Sequence, residues 1–255
     1  LYINTMDEKF ALSGSEAFEK ATTIDPLQAD AWLHWGQLLG EQGRLNRDAK
    51  LLNQSVTKCS RAYLLDTENT AIISQLVESL SYLGASDNRL NLLIEAENKI
   101  LKIIDSVPDD PDLWRAYGIC LIGFGRYYSD PDYFEMAIEK LQYGLSLDRT
   151  DAELWHALGT AHQLIADITD DVDIIERASR FFIRAIDLKS SCPSFVYDAA
   201  CALLHYSEVS DSLPSLEQAI ALFETLLHNQ RSVLLNHPEW LFQYASALEW
   251  MGDFS

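Results

Sequence analysis

Histidines four residues apart on one helix can ligate a single metal ion, so their spacing tests for a metal site. The chain has six histidines, at positions 34, 156, 162, 205, 228 and 237. No two are four residues apart, and no H-E-x-x-H motif occurs. His156 and His162, six residues apart, point in different directions on a helix. We therefore predict surface or partly packed histidines, and no metal site.

Motifs of other catalytic sites are incomplete. The stretch 123–125 (Gly-Phe-Gly) lacks the third glycine and the preceding strand of a dinucleotide-binding loop, and no G-x-S-x-G nucleophile elbow occurs. Carboxylates cluster at Asp167, Asp170, Asp171 and Asp173, but without the glycine and terminal glutamate of a calcium loop. We expect this cluster to form a solvated turn and a helix N-terminus. The sequence predicts no catalytic residue, no cofactor and no enzyme activity.

The charge balance restricts the class of partner. The chain has 19 basic and 39 acidic residues, a formal net charge of −20. Such a surface repels phosphate, which argues against nucleic acids and anionic membranes as partners. Either the acidity attracts a basic partner, or it only keeps the protein in solution.

Two features of the sequence bear on the cellular compartment of the protein: the cysteines and the lack of long apolar runs. No run approaches the roughly 18 residues of a membrane span, and charged residues interrupt the first ten positions. The four cysteines form no C-x-x-C pair: Cys59, Cys120, Cys192 and Cys201. We interpret them as small apolar helix residues in the cytoplasm or another reducing compartment.

A period of 41 residues organises the chain. Small residues recur at this step: Gly14, Ser55, Ala96, Ala137, Ala178 and Ala219. Four positions after each comes an apolar, mostly bulky residue: Phe18, Cys59, Ile100, Leu141, Phe182 and Phe223. A constant step through six positions predicts a repeat protein.

A second cluster recurs about half a period away. Trp114, Tyr117, Gly118 and Leu121 have the spacing of one helix face, and they precede the cluster around Ala137. Its first member recurs at Trp32, Ile73, Trp114 and Trp155, then drifts in register to Phe195 and Leu241. Asp198 is a misfit, because the cluster has a bulky residue at its place. Each repeat is thus predicted to be a pair of helices.

Breaks fall where such pairs need them. We expect turns within the pairs at Gly43, Gly84, Gly125 and the Asp170–Asp171 pair. Three prolines are suited to the first turn of a helix: Pro131, Pro193 and Pro214.

These motifs resemble the tetratricopeptide repeat, whose pattern is W-x2-L-G-x2-Y followed by A-x3-F and a proline. One match is Trp114-x2-Tyr117-Gly118-x2-Leu121 with Ala137-x3-Leu141, and another is Trp155-x2-Leu158-Gly159 with Ala178-x3-Phe182. The family repeat has about 34 residues. We therefore expect some seven added residues, around the turn within each pair.

The resemblance implies an all-α fold, an α-α superhelix or solenoid of stacked antiparallel helical hairpins. We predict a single solenoid over 1–255. It divides into a partial repeat 1–28, full repeats 29–69, 70–110, 111–150, 151–191 and 192–236, and a partial repeat 237–255. Because the chain opens at Leu1 and closes inside repeats, we expect it to be a fragment of a longer protein.

The resemblance also implies a concave groove, lined by residues one, five and eight positions after the first member of each cluster. These residues are Leu33, Gln37, Ser74, Glu78, Arg115, Ile119, Ile122, His156, Thr160, Gln163, Val196, Ala200, Leu203, Phe242 and Ser246. Arg115 would be the main cation, facing a carboxylate or carbonyl of the partner. The alternative for Ile119, Ile122, Val196 and Leu203 is that they belong to the core.

The predicted function is a scaffold or adaptor that binds a peptide or helix of another protein in this groove. The alternative is a regulatory or substrate-presenting region of a larger enzyme whose catalytic part lies outside the fragment. The sequence does not set the oligomeric state.

Overall fold

The fold is all-α. The computed structural model describes residues 8–229, 233 and 237–253, and it contains helices and no strand within that part. The helices are α1 (Glu8–Ile24), α2 (Ala29–Leu45), α3 (Ala49–Leu65), α4 (Thr70–Ser86), α5 (Leu90–Ile103), α6 (Pro111–Tyr128), α7 (Pro131–Leu147), α8 (Ala152–Thr169), α9 (Val172–Leu188), α10 (Pro193–Ser210), α11 (Leu213–Asn229) and α12 (Pro238–Asp253). The predicted partial repeats include 1–7 and 254–255, and the repeat 192–236 includes 230–232 and 234–236. These segments lie outside the described residues. None of the described helices combines the length and hydropathy that a membrane span requires.

The helices keep the 41-residue step throughout α2 to α11. First helices begin at residues 29, 70, 111, 152 and 193, and second helices at 49, 90, 131, 172 and 213. Five residues at this same step, none of them glycine, have left-handed backbone with φ between 49° and 54°: Arg47, Asn88, Ser129, Asp170 and Asp211. The turn that joins the two helices of a hairpin is therefore the same each time.

Hydrogen bonds explain the shape of this turn. In four of the five turns the last residue donates its backbone N–H to a carbonyl five residues earlier, as from Asp48 to Gly43 (2.9 Å) and from Asp130 to Gly125 (3.1 Å). That bond needs the intervening residue to be left-handed, and it satisfies a carbonyl at the end of the first helix. The Asp48 carboxylate then accepts the N–H of Lys50 at the start of the second helix. One short segment thus ends one helix and caps the next.

Close contact between paired helices explains the small residues. A Cβ added at Gly36 would lie 2.3 Å from Cys59 Sγ, and one at Gly118 would lie 2.5 Å from Leu141. Since such distances are impossible, only glycine lets the second helix approach at these places. The pairing is antiparallel, because Gly43, further along α2, faces the earlier residue Leu52.

The glycines expected to form turns lie inside the helices instead. Gly43, Gly84 and Gly125 belong to the last turns of α2, α4 and α6. At Gly125 an added Cβ would lie 2.4 Å from the Phe134 ring. Their role is close packing, and the turns follow a few residues later. Asp170 and Asp171 do form the turn between α8 and α9, as expected from the sequence.

The added length also lies elsewhere than expected. The turns within hairpins contain only two or three residues, whereas the paired helices, apart from the 14-residue α5, have 17 or 18 residues each. The extra residues relative to the 34-residue family repeat therefore extend the helices, at about 1.5 Å per residue. The three prolines are placed as predicted, with Pro131 and Pro193 opening α7 and α10 and Pro214 second in α11.

The chain forms two compact lobes, which we describe separately: an N-terminal lobe (Glu8–Arg149) and a C-terminal lobe (Thr150–Ser255). In the N-terminal lobe each helix from α1 to α7 packs on its neighbour in the chain, and the first helices α2, α4 and α6 also pack in a row. In the C-terminal lobe α8 to α11 pack in sequence, and α12 packs on α11 and α10. Both lobes are stacks of helical hairpins.

The core contains the positions that the 41-residue step selects. Ser55, Ala96, Ala137, Ala178 and Ala219 are all fully buried, and Gly14 is buried as well. Burial raises the pKa of Cys59 to about 11 and that of Cys120 to about 12. These two thiols therefore pack as apolar groups, as the sequence indicated.

We predict that Ser129→Gly stabilises the protein by about 0.5–1 kcal/mol, since a residue with a Cβ is strained in the left-handed region and glycine is not. Asn88→Gly is the matched control one repeat earlier, where asparagine already tolerates this conformation, so the gain should be smaller. Urea denaturation of both variants measures the effect. An equal gain at both positions would contradict the strain argument.

We predict that Cys59 and Cys120 react with iodoacetamide at pH 8 on the order of 100-fold more slowly in the folded protein than in urea. The reason is that only the thiolate reacts, and a pKa near 11 or 12 leaves little of it. Mass spectrometry of tryptic peptides after timed labelling measures each site. Equal rates in folded and unfolded protein would show that the two thiols are accessible.

Candidate functional site

The candidate site is, within each lobe taken by itself, the row of side chains that neighbouring first helices present, which we call the first-helix face. In the N-terminal lobe its centre is Arg115 on α6. The Arg115 guanidinium donates to Glu78 of α4 (2.9 Å) and to Asp112 one turn earlier (2.5 Å). Glu78 is buried, so this ion pair satisfies a carboxylate that would otherwise lack solvation. The cation predicted to face a partner is thus engaged by the chain's own carboxylates.

Other side chains on this face in the N-terminal lobe make polar contacts. His34 and Gln37 of α2 hydrogen-bond to each other (2.9 Å). Arg44, in the last turn of α2, donates to the hydroxyl of Tyr82 on α4 (3.2 Å) and lies over its ring. Neighbouring first helices are therefore joined by polar side chains.

The C-terminal lobe has the same kind of connection. His156 of α8 hydrogen-bonds through Nε2 to Asp198 of α10 (2.8 Å), and its ring stacks on Phe195 with centroids 4.2 Å apart. Gln163 of α8 bonds to His205 of α10 (3.2 Å) and donates to Asp167 (2.7 Å). Both bonds between α8 and α10 join residues 42 apart, one more than the repeat.

Asp198 and His205 were missed by the sequence argument, which shifted the register of the fifth repeat by one residue. The helices show no such drift, because α10 begins 41 residues after α8. Ala200 then takes the place of Gly159, where helices approach closely. Val196, Ala200 and Leu203 are accordingly buried. Asp198 and His205 could have been found by looking for polar residues 42 positions after His156 and Gln163, one more than the repeat length.

Burial divides the fifteen predicted groove residues. Eight are buried: Leu33, Ser74, Glu78, Ile119, Ile122, Val196, Ala200 and Leu203. Ile119, Ile122, Val196 and Leu203 thus have the burial expected of core residues. Six are partly exposed: Gln37, Arg115, His156, Thr160, Gln163 and Ser246. Phe242 on α12 is 69% exposed, the only one of the fifteen in that class.

The chemistry of the face is that of hydrogen bonding. Thr160 donates its hydroxyl to the His156 carbonyl, and within the described chain no hydroxyl or thiol side chain bonds to the His156 ring. The His156–Asp198 pair therefore lacks the nucleophile of a catalytic triad. His162 is packed against Phe181, and burial lowers its pKa. No group of three or more metal-ligating side chains converges among residues 8–229, 233 and 237–253.

Comparison with known proteins supports the fold. No family model and no curated protein matches the sequence. Among solved structures, the tetratricopeptide protein TTC0263 of Thermus thermophilus superposes with a TM-score of 0.57 at 16% identity, over 84% of this chain and 98% of that one. Human IFIT1, solved as a dimer with PPP-AAAA, gives 0.61 at 15% identity over 95% of this chain, and yeast Tom70 gives 0.57 at 17% over 93%.

The chain spans 55% of the IFIT1 chain and 43% of the Tom70 chain. At these identities the likeness shows the fold alone. That fold, with the 41-residue step of its hairpins and the buried small residues between them, is an all-α solenoid of tetratricopeptide-like helical repeats.

Proposed function

We propose that this protein is an interaction scaffold whose first-helix face binds a peptide segment or helix of a partner protein. Helical-repeat proteins bind partners on the extended surface that their stacked repeats create. The observation that carries the proposal is the pairing of His156 with Asp198 and of Gln163 with His205 at partly exposed places. When a segment binds, these side chains can give up their hydrogen bonds to each other and form hydrogen bonds with the N–H and C=O groups of the segment's backbone.

The division by burial refines which residues contact the partner. We assign contact to the partly exposed groove residues in each lobe, together with Asp198, His205 and Phe242. The eight buried residues would instead hold the face in shape from beneath. Phe242 is the apolar side chain available as an anchor, since the others predicted for that role are covered.

Within this proposal Arg115 is a positioning residue. Its guanidinium is held by Glu78 and Asp112, and a partner carboxylate would have to compete with both. The Lys189 ammonium is held in the same way by Glu153 (2.8 Å). The face therefore offers a partner mainly acceptors and neutral polar groups, which suits a segment that brings N–H donors or positive charge.

We infer that the likeness to IFIT1 does not extend to the PPP-AAAA with which that protein was solved. Affinity for RNA comes largely from cations that neutralise phosphates. This chain has a formal charge of −20, and two of its cations, Arg115 and Lys189, are paired with its own carboxylates Glu78 and Glu153. The same charge balance favours a protein partner.

To test the proposal, a phage library of random 12-residue peptides is selected on the whole chain, and the best peptides are synthesised. We expect Asp198→Asn combined with His205→Ala to weaken their binding at least about tenfold, or about 1.4 kcal/mol. Fluorescence anisotropy measures the dissociation constants, and circular dichroism checks folding. Glu135→Gln with Glu139→Gln, two exposed residues of α7, is the control.

A peptide set that binds the control and the face variant equally would contradict the proposal. Failure to select any peptide would also count against it.

We predict that Arg115→Ala costs about 2 kcal/mol of stability, because it leaves the buried Glu78 carboxylate without its cation. Adding Glu78→Gln should recover part of the loss, since no buried charge then remains. The control is Arg180→Ala, which removes a 2.6 Å pair to Glu176 from a side chain that is 70% exposed. Its cost should stay below about 0.5 kcal/mol. Urea denaturation gives both values, and equal costs would show that burial is not what matters.

A further inference from the structure

Exposed aliphatic side chains recur at one edge of the C-terminal lobe, where each first helix turns into its second helix. Ile168 is the last residue but one of α8, and Val172 is the first residue of α9. Val209 and Leu213 take the same two places one repeat later, in α10 and α11. Their exposed fractions run from 36% to 55%. We call these four residues the turn-edge ridge.

The hairpin itself does not require this exposure. In the N-terminal lobe the equivalent places hold Ser86 and Leu90 in one hairpin, and Tyr127 and Pro131 in the next. Leu90 and Tyr127 there are partly buried, while Ser86 is polar. The turn-edge ridge is therefore specific to the C-terminal lobe. Exposed apolar side chains that occur together, rather than singly, are characteristic of binding surfaces.

One partner helix can contact both halves of the ridge. Side-chain hydrogen bonds join α8 to α10, so the two hairpins are neighbours. Residues of one apolar stripe recur along a helix, about 10.5 Å apart for every seven positions. Such a helix, laid across the edge, would place apolar residues of its stripe against Ile168 and Val172 and, further along, against Val209 and Leu213.

The two stretches that carry the ridge have charge of one sign. Stretches 167–173 and 208–214 contain no lysine or arginine. They contain six carboxylates: Asp167, Asp170, Asp171, Asp173, Glu208 and Asp211. Asp167 accepts from Gln163, and Asp171 caps α9. The side chains of the other four make no hydrogen bond or ion pair with any residue that the structure describes, so they can meet external cations.

We propose that the turn-edge ridge docks a basic amphipathic helix of a partner protein. The apolar stripe of that helix packs on the four aliphatic side chains, and lysines or arginines beside the stripe face Asp170, Asp173, Glu208 and Asp211. This surface is separate from the first-helix face, and the proposal does not depend on it. An acidic or anionic partner is disfavoured by the carboxylates.

The test uses the whole chain and a synthetic 18-residue helix of leucine and lysine, with leucines in one stripe and lysines on both sides. A second peptide has glutamate in place of every lysine. We expect the lysine peptide to bind and the glutamate peptide to bind at least tenfold more weakly. Val209→Ser with Leu213→Ser should weaken the lysine peptide at least tenfold. Asp170→Asn, Asp211→Asn and Glu208→Gln together should weaken it and reduce its dependence on salt.

Two matched control variants remove exposed aliphatic side chains and exposed carboxylates at places away from the ridge. Ile94→Ser with Leu101→Ser takes away two exposed aliphatic residues of α5, and Glu135→Gln with Glu139→Gln takes away two exposed carboxylates of α7. Neither should change binding. Equal weakening by the controls, or equal binding of the glutamate peptide, would overturn the proposal by showing non-specific attraction.

Analytical sedimentation tests the alternative that a second copy of this chain, rather than a partner helix, occupies the ridge. If the chain self-associates, the serine pair at 209 and 213 abolishes this, and the lysine peptide does not bind, then the ridge binds a second copy and the proposal is wrong. If the peptide binds at the ridge while the first-helix variants have no effect on any selected peptide, the ridge proposal stands and the proposed function fails.

Discussion

The structure depends on one backbone feature, the left-handed residue in the turn within each hairpin. This residue allows a backbone hydrogen bond that spans five residues, and the first helix ends just before it. The second helix starts two residues after it in all five hairpins. Because five turns share this geometry, the helices on either side of them keep one register. The positions of the core residues, of the first-helix face and of the turn-edge ridge all follow from that register.

The fold also requires close packing of the two helices in each hairpin. This packing explains why one repeat position holds glycine in some repeats and a larger residue in others. Where Leu141 or Phe182 presses on the first helix, Gly118 and Gly159 leave space for it. Ala200 stands at the same place in the fifth repeat. The small residues are thus set by their partners on the second helix, and a change at one side requires a change at the other.

Polar side chains on the first-helix face make hydrogen bonds and ion pairs with other side chains of the same chain. Arg115 is paired with the buried Glu78 carboxylate, and Glu153 of α8 is paired with Lys189, which follows α9. His156 and Gln163 bond across to α10. Such bonds orient the side chains before any partner arrives, which lowers the entropy lost on binding. Exposed carboxylates remain beside the turn-edge ridge, at Asp170, Asp173, Glu208 and Asp211.

Much of the architecture could be predicted from the sequence, because the 41-residue step and the 3.6-residue spacing within each cluster are local patterns. Ala96, Ala137 and Ala178 are buried in equivalent helices, as those patterns required. The errors arose where a position depends on a neighbour distant in sequence. Gly43, Gly84 and Gly125 were assigned to turns, since glycine favours turns, but contact with the second helix places them in helices.

The sequence by itself determined the helical class, the repeat length and the burial of the small residues, since each follows from periodicity along the chain. Only the tertiary structure decided which side of each first helix remains accessible, how Arg115 is paired and that Asp198 and His205 belong to the face. The reason is that these depend on how one hairpin packs on the next: a shift of one residue turns a helix by about 100° and changes which side chains meet.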